Sequence, residues 1–282
     1  MAGVVEGQQL IGELHALEDD AQADQLHGMP SAGVAHTIAS LIVSAAAGSK
    51  PDAIGIGIPG IVRNGMVEES PNLRQLKGAN MRELVGGALR EAGIDAHVHV
   101  YNDADVMAAG LAATRGQLDR LIRVWTIGHG IGFGVYPCQE GVWEGGHMVV
   151  SLDPREKYCG CGGKGHLEGI MGYRAMRLRF LDLEPDEVFE QAKRGDARCI
   201  EFVRLWHAAL AAGTANSIHL AGPGKFYITG FNARNLDVNI LDQFMHDMVK
   251  MSPLQGYVFE IVPQSDEIAV IGAAVNASQA SQ

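Results

Sequence analysis

The sequence predicts an α/β fold with a mostly parallel sheet covered on both faces. Two observations carry this. Over the first stretch, short apolar runs bounded by Gly, Pro or Asn-Asp alternate with amphipathic helical segments. Near residue 117 the pattern changes to a hairpin, an irregular Gly/Cys/His stretch and then mainly helices, which marks a domain boundary.

In chain order, residues 1–6 and 9–17 read as two short strands around a turn at Gly7, and residues 18–30 as polar and irregular. A helix follows Ser31, with Val34, Ile38, Leu41, Ile42 and Ala45 on its apolar stripe, and Lys50-Pro51 ends it. Ala53–Ile58 (AIGIGI) is a short buried strand running into Pro59-Gly60. Asn80, with Glu83 three residues on, starts a second helix that Gly93 closes. A strand over His97–Tyr101 ends at Asn102-Asp103, and a helix of small residues spans 104–114. Arg120–Ile127 and Ile131–Tyr136 form a hairpin about a glycine-rich turn. Beyond the Gly/Cys/His stretch, helices are expected over 167–180, 186–194, 197–220, 238–250 and 266–278, with strands at 227–229 and 257–262.

Composition narrows the function classes. The chain has 282 residues, 47% of them hydrophobic, enough for two domains or one large one. Its net charge is -11, and no Lys/Arg run provides a footprint for nucleic acid. An acidic chain can still bind ATP, since Mg²⁺ and backbone amides offset local charge. The opening MAGVVEGQQLIGEL lacks the basic and apolar regions of a signal peptide, and no run reaches the ~18 apolar residues of a membrane span. The expected compartment is the cytoplasm. Four cysteines (Cys138, Cys159, Cys161 and Cys199) are too few for a disulfide scaffold. Two of them stand one residue apart, which reads as metal before disulfide.

The sharpest local signal is Cys159-Gly-Cys161-Gly-Gly-Lys-Gly-His166, with His147 twelve residues before Cys159. Two thiolates and two imidazoles suit a closed tetrahedral Zn²⁺ site, and the glycines let a short loop fold around an ion. With no ligand position left open, the expected role is structural. The alternative is a flexible glycine loop with incidental cysteines. Glu144 and Glu168 each stand close to a proposed ligand, placed to accept hydrogen bonds from the vicinal hydroxyls of a sugar, or else as plain surface acids.

Asn102-Asp103 lies where a strand leaves the sheet, the position at which open α/β sheets bind ligands. Asp103 there can take a proton from a hydroxyl, or can merely cap the helix that begins at Ala104. The turn Gly128-His-Gly130 could cradle phosphate with its amides or be an ordinary hairpin. Thr229-Gly230-Phe231-Asn232, between a strand and a helix, is open in the same way.

Together these segments resemble the ROK family (repressor, open reading frame, kinase). Glu144-Gly-Gly-His147 and Cys159-Gly-Cys161-Gly-Gly-Lys-Gly-His166-Leu-Glu168 match its E-x-G-H and C-x-C-G-x-x-G-C-x-E elements, with His166 where a third cysteine is usual. Asn102-Asp103-Ala104 matches its N-D-A. Ile54–Gly60 and Pro71-Asn72-Leu73 match its sugar-facing turns, Thr126–Gly130 its second phosphate loop, and Ile271-Gly272-Ala273-Ala274 the start of its C-terminal helix.

The resemblance implies an actin-like (ribonuclease H-like) two-domain sugar kinase fold, with 1–116 plus 267–282 as a small domain and 117–266 as a larger domain holding the zinc. It implies a glucokinase-like activity, the ATP-dependent phosphorylation of a hexose or N-acylhexosamine with Mg²⁺, often in a homodimer. Asp103 would be the base. Gly60, Asn72, Asn102, Glu144, His147 and Glu168 would hold the sugar, and Gly128, Gly130 and Gly230 the ATP. His147, Cys159, Cys161 and His166 would hold zinc.

Three departures from the family pattern bear on activity. The D-x-G-G-T strand that opens family members is missing, so the chain is expected to start late and to have little kinase activity. About eight residues before E-x-G-H are also missing, which would misplace Glu144. Gly230-Phe231-Asn232 replaces a G-G-G or G-G-V turn, which would crowd the adenosine site. A sugar-binding protein that transfers nothing is therefore the alternative. The family's repressor branch would need a helix-turn-helix segment that this sequence does not contain.

Overall fold

The computed structural model describes residues 1–17, 26, 28–70, 73–139 and 144–281. The chain divides into two compact units. One comprises Met1–Ile122, Gly134–Val142 and Ser265–Gln282; the other comprises Arg123–Phe133 and Trp143–Gln264.

In the first unit, β1 (Ala2–Glu6) and β2 (Gln9–His15) pair antiparallel around Gly7, whose positive φ of 62° suits a glycine turn. Helix α1 (Ser31–Ala46) follows, then β3 (Ala53–Ile58). A short hairpin, β4 (Ile61–Arg63) and β5 (Met66–Glu69), turns at Asn64-Gly65, both at positive φ. The sequence reading did not anticipate this hairpin, although Asn-Gly between two short runs, here Ile61–Arg63 and Met66–Glu69, is the usual signal for one. Helix α2 (Met81–Glu91) starts where Asn80 accepts a hydrogen bond from the Glu83 amide, a cap contributing about 1 kcal/mol. Strand β6 (His97–Asn102) pairs parallel with β3 in full register, Ala53 opposite His97 and Ile58 opposite Asn102. Ile54, Ile56, Ile58, Val98 and Val100 are buried on the face that packs with Val34, Val85 and Leu89 of α1 and α2.

The other face explains the small residues of α3 (Asp103–Thr114) and α9 (Asp266–Ala280). These helices cross with their backbones almost in contact. A Cβ at Gly272 would overlap the Val106 carbonyl oxygen, one at Gly110 the Ile268 carbonyl oxygen, and one at Gly55 of β3 the Ala273 carbonyl oxygen. No rotamer change relieves a clash with backbone. Gly272→Ala should therefore destabilise the chain by about 2–3 kcal/mol, in the upper part of the usual overpacking range. Gly87→Ala on α2 is the control, because its Cβ meets nothing within 4 Å. That change should be neutral or stabilising by up to ~1 kcal/mol through helix propensity. Denaturant melts of both variants test the contrast, and equal stabilities would contradict the packing.

A four-stranded sheet in the order β10-β9-β7-β8 underlies the second unit, with the end of β8 from Gly134 onward counted in the first. Its strands are β7 (Ile122–Ile127), β8 (Ile131–Tyr136), β9 (Lys225–Thr229) and β10 (Val258–Ile261), with β9 and β10 parallel. Helices α4 (Leu167–Met171), α5 (Tyr173–Arg179), α6 (Pro185–Lys193), α7 (Ala197–Ala221) and α8 (Val238–Met248) supply the rest of its apolar core. Trp125 and Trp206 are fully buried in it, and each indole N–H is satisfied: Trp125 donates to Thr214 Oγ1 at 3.1 Å, Trp206 to the Met171 carbonyl at 3.2 Å. The helix expected over 167–180 is broken at Gly172, which is extended at φ -62°, ψ 139°. Among the described residues, no helix is long and apolar enough to cross a membrane.

Candidate active site and metal centre

In the first unit, β6 delivers Asn102 and Asp103 to its carboxyl end. The Asn102 side chain accepts from the Ala104 amide at 2.8 Å, making it the N-cap of α3, and donates to the Gly60 carbonyl at 2.8 Å. Gly60 has φ +115°, and a Cβ there would collide with the Glu69 carbonyl. The turn after β3 is thus tied to the start of α3 through one asparagine side chain. Asp103 Oδ1 lies 2.9 Å from the same Ala104 amide. The capping role that the sequence left open for Asp103 is already filled by its neighbour. Asp103 is solvent-exposed by residue area, yet the protein around its carboxyl desolvates it and raises its pKa above the usual aspartate value. The bonds to the Ala104 and Asp103 amides offset this in part. Asn72 lies outside the described residues.

In the second unit, the four predicted metal ligands converge. Ligand atoms of His147, Cys159, Cys161 and His166 all lie within 4.8 Å of one another. The separations are 3.4 Å for Cys159 Sγ to Cys161 Sγ, 3.4 Å for Cys159 Sγ to His147 Nδ1, 3.4 Å for His147 Nδ1 to His166 Nδ1 and 3.2 Å for Cys161 Sγ to His166 Nδ1. Metal–ligand lengths of ~2.0–2.3 Å at tetrahedral angles demand ligand–ligand spacings of about 3.3–3.8 Å, and spacings of 3.2–3.4 Å between four of the pairs are compatible with one Zn²⁺. Gly162 and Gly165, both at positive φ, shape the loop, and the Val150 amide donates to Gly165 O at 2.8 Å. His147 turns Nε2 toward Glu144 Oε2 at 3.7 Å, the arrangement in which a carboxylate orients a ligating imidazole. Burial, opposed by a backbone hydrogen bond at Cys161 and reinforced by the Cys161 thiol and Glu168, pushes the Cys159 thiol up to about 12. Burial, together with His147, lowers the His166 pKa.

Glu168 is half-buried, and its carboxylate is engaged. Oε2 accepts from the Ile131 amide at 3.0 Å, and Oε1 lies 3.7 Å from Cys159 Sγ. The Gly128–Gly130 turn is further held by Tyr173 N to Gly128 O at 3.1 Å and Arg174 N to His129 O at 3.4 Å, and closes on itself from Gly128 N to Gly130 O at 3.0 Å. The His129 and Gly130 amides are not donors in these bonds. The Gly230 turn approaches the same place: its φ is +100°, and a Cβ there would overlap the Ile127 carbonyl. Gly128, Gly130 and Gly230 are thereby brought together. Around them stand three aromatic rings: Phe231 and His129, which belong to turns the sequence had marked, and Tyr173, which sequence reasoning missed. His129 and Phe231 have centroids 5.0 Å apart, Tyr173 and Phe231 5.5 Å, and His129 and Tyr173 6.0 Å. A glycine followed by tyrosine inside a helical pattern, at Gly172-Tyr173, was the available signal. Asn232 turns inward, fully buried, and accepts from Asn235 at 2.8 Å.

The model of the ROK family matches residues 11–280. The chain is 28% identical over 253 residues to a glucokinase of Pyrobaculum calidifontis, covering 83% of this chain and 81% of that one. Among solved structures it is similar to a ROK hexokinase from Thermus thermophilus, with a TM-score of 0.77 and 23% identity over 99% of this chain and 94% of that one. A ROK family glucokinase from Streptomyces griseus, solved with glucose and AMPPNP, gives a TM-score of 0.68 and 20% identity over 98% and 95%.

Proposed function

This chain belongs to the ROK family and has its actin-like (ribonuclease H-like) two-domain α/β fold, and from that premise we propose that it is an ATP-dependent sugar kinase acting on a hexose or N-acylhexosamine. The observation that carries the reading is the division of labour at the end of β6. Asn102 caps the helix and anchors Gly60, so Asp103, with its raised pKa, is available as a base. Asp103 takes the proton from the sugar hydroxyl as the phosphoryl group leaves ATP. The family resemblance assigns Gly60, Asn72 and Asn102 of the first unit, and Glu144, His147 and Glu168 of the second, to the sugar. The turns at Gly128, Gly130 and Gly230 receive the nucleotide, with the His129 and Gly130 amides as donors to phosphate. Zinc on His147, Cys159, Cys161 and His166, when bound, supplies a structural staple and no open coordination position.

The similarity to the Pyrobaculum glucokinase, the Thermus hexokinase and the Streptomyces glucokinase supports sugar phosphorylation. One observation favours a second reading, sugar binding without transfer. Where the resemblance implies a second glycine, the Phe231 ring stands over the Gly128 turn, 3.4 Å from the point a Cβ of Gly128 would occupy. Calorimetric titration of a sugar panel, alone and with Mg-ATP, combined with an assay of sugar-dependent ADP release, separates the two. Turnover of a hexose or N-acylhexosamine is the expected result. Binding without turnover would replace the kinase reading with the second, and absence of sugar binding would refute both.

A further inference from the structure

We propose that Glu168 is a positioning residue that holds the Gly128–Gly130 turn in its ligand-ready shape and couples that turn to the four-ligand cluster. The inference rests on the reading that this turn receives nucleotide phosphate.

The connection is short and physically continuous. His166, a ligand, immediately precedes α4. Glu168 lies in the first turn of α4, and its Oε2 accepts the Ile131 amide just past the glycine turn. A Cβ at Gly130 would overlap the same Oε2, so glycine at 130 is what admits the carboxylate. Its other oxygen faces Cys159, a second ligand, at 3.7 Å. At the next position, a Cβ at Gly169 would lie only 2.8 Å from the Cys159 amide, so the helix is pressed against the ligand-bearing backbone. At its far end α4 stops at Gly172, where a Cβ would lie 3.0 Å from the His129 carbonyl. The break lets the Tyr173 and Arg174 amides bond to the Gly128 and His129 carbonyls. One five-residue helix therefore touches ligands at one end and side, and the glycine turn at its other end and through its carboxylate. Fixing His166 and Cys159 fixes α4, and α4 fixes the turn. A charged acceptor makes the Ile131 bond stronger than a neutral backbone bond would be.

The test uses the full chain with its metal as purified. Amide hydrogen exchange is followed across 122–136, and affinity for Mg-AMPPNP is measured separately. Glu168→Ala should speed exchange at 130–131 by about tenfold or more and weaken Mg-AMPPNP binding by a similar factor. Glu168→Gln keeps an acceptor oxygen and should restore most of the protection. Chelator-stripped wild-type protein should show faster exchange in the same peptide. Ile218→Val, a buried change on α7, should lower general stability without affecting the turn. Unchanged exchange in Glu168→Ala, or a glutamine variant as unprotected as the alanine one, would overturn the positioning role. Faster exchange with undiminished Mg-AMPPNP affinity would overturn the coupling to ligand. If the wild-type chain binds no Mg-AMPPNP while the exchange effect is present, the positioning of the turn stands and the nucleotide reading of the turn fails.

Discussion

Asp103→Asn is expected to lower turnover by about 10²-fold or more, a typical contribution of a general base, while sugar affinity changes little. Asparagine keeps the shape and the oxygen that faces the Ala104 amide but cannot take a proton. The helix start should be undisturbed, because Asn102 provides the cap. Stability gives a second, independent signature. Burial raises the Asp103 pKa in the folded chain. A raised carboxylate favours folding only while protonated, and that advantage is lost as pH rises through its folded pKa. At neutral pH the charged carboxylate is a cost, so the asparagine variant should melt no lower than the wild type, the usual exchange of stability against function. Loss of turnover together with an unchanged or higher melting temperature is the expected pair. An unchanged rate would reduce Asp103 to a surface residue at a helix start, and a large fall in melting temperature would mean that it is structural.

Much of this architecture is legible in the sequence because its signals are local. AIGIGI is a strand between a Lys-Pro stop and a Pro-Gly turn, and the chain forms β3 there. Asn80 with Glu83 marks a helix start, and the Asn80 cap is present. The spacing of His147, Cys159, Cys161 and His166 carries the chemistry of a metal site, and the fold brings those four side chains together. What escapes is imposed from a distance. The helical pattern over 167–180 is continuous by periodicity, but in the fold it breaks at Gly172, where the Tyr173 and Arg174 amides bond to the Gly128–Gly130 turn. The bond from the Ile131 amide to Glu168 spans 37 residues and has no sequence signature. In sequence, Glu168 reads as a sugar ligand or a surface acid; in the fold its carboxylate already has neighbours. The glycines of α3 and α9 read as generic small residues, whereas Gly110 and Gly272 are required by two backbones in near contact.

Cys161→Ala is expected to abolish stoichiometric zinc, lower the melting temperature by roughly 10 °C and weaken sugar binding at the same time. The choice of cysteine matters. Cys159 is buried, so its removal would confound loss of a ligand with a cavity; Cys161 is exposed, so its truncation leaves little void. Any large effect must therefore come from coordination. An ion that binds only the folded chain stabilises it by about 4 kcal/mol when present at ~1,000 times its dissociation constant, which corresponds to roughly 8–16 °C for a unit of 150–250 residues. Other contacts also hold the loop, among them the Val149–His166 bridge, the bonds around Gly165, the Leu167 amide on the Met148 carbonyl, and Arg179, which pairs with Glu156 and lies over the Tyr158 ring. Sugar affinity should fall together with stability, because Glu144 is 3.7 Å from ligand His147 and Glu168 follows ligand His166 by two residues. Cys138→Ala, which removes an exposed thiol outside the cluster, is the control and should keep one zinc per chain. Elemental analysis, thermal melts and sugar titration of the two variants beside the wild type decide the matter. A wild-type protein without stoichiometric zinc, or a Cys161→Ala protein that retains both its metal and its melting temperature, would show that the four side chains converge for a reason other than coordination.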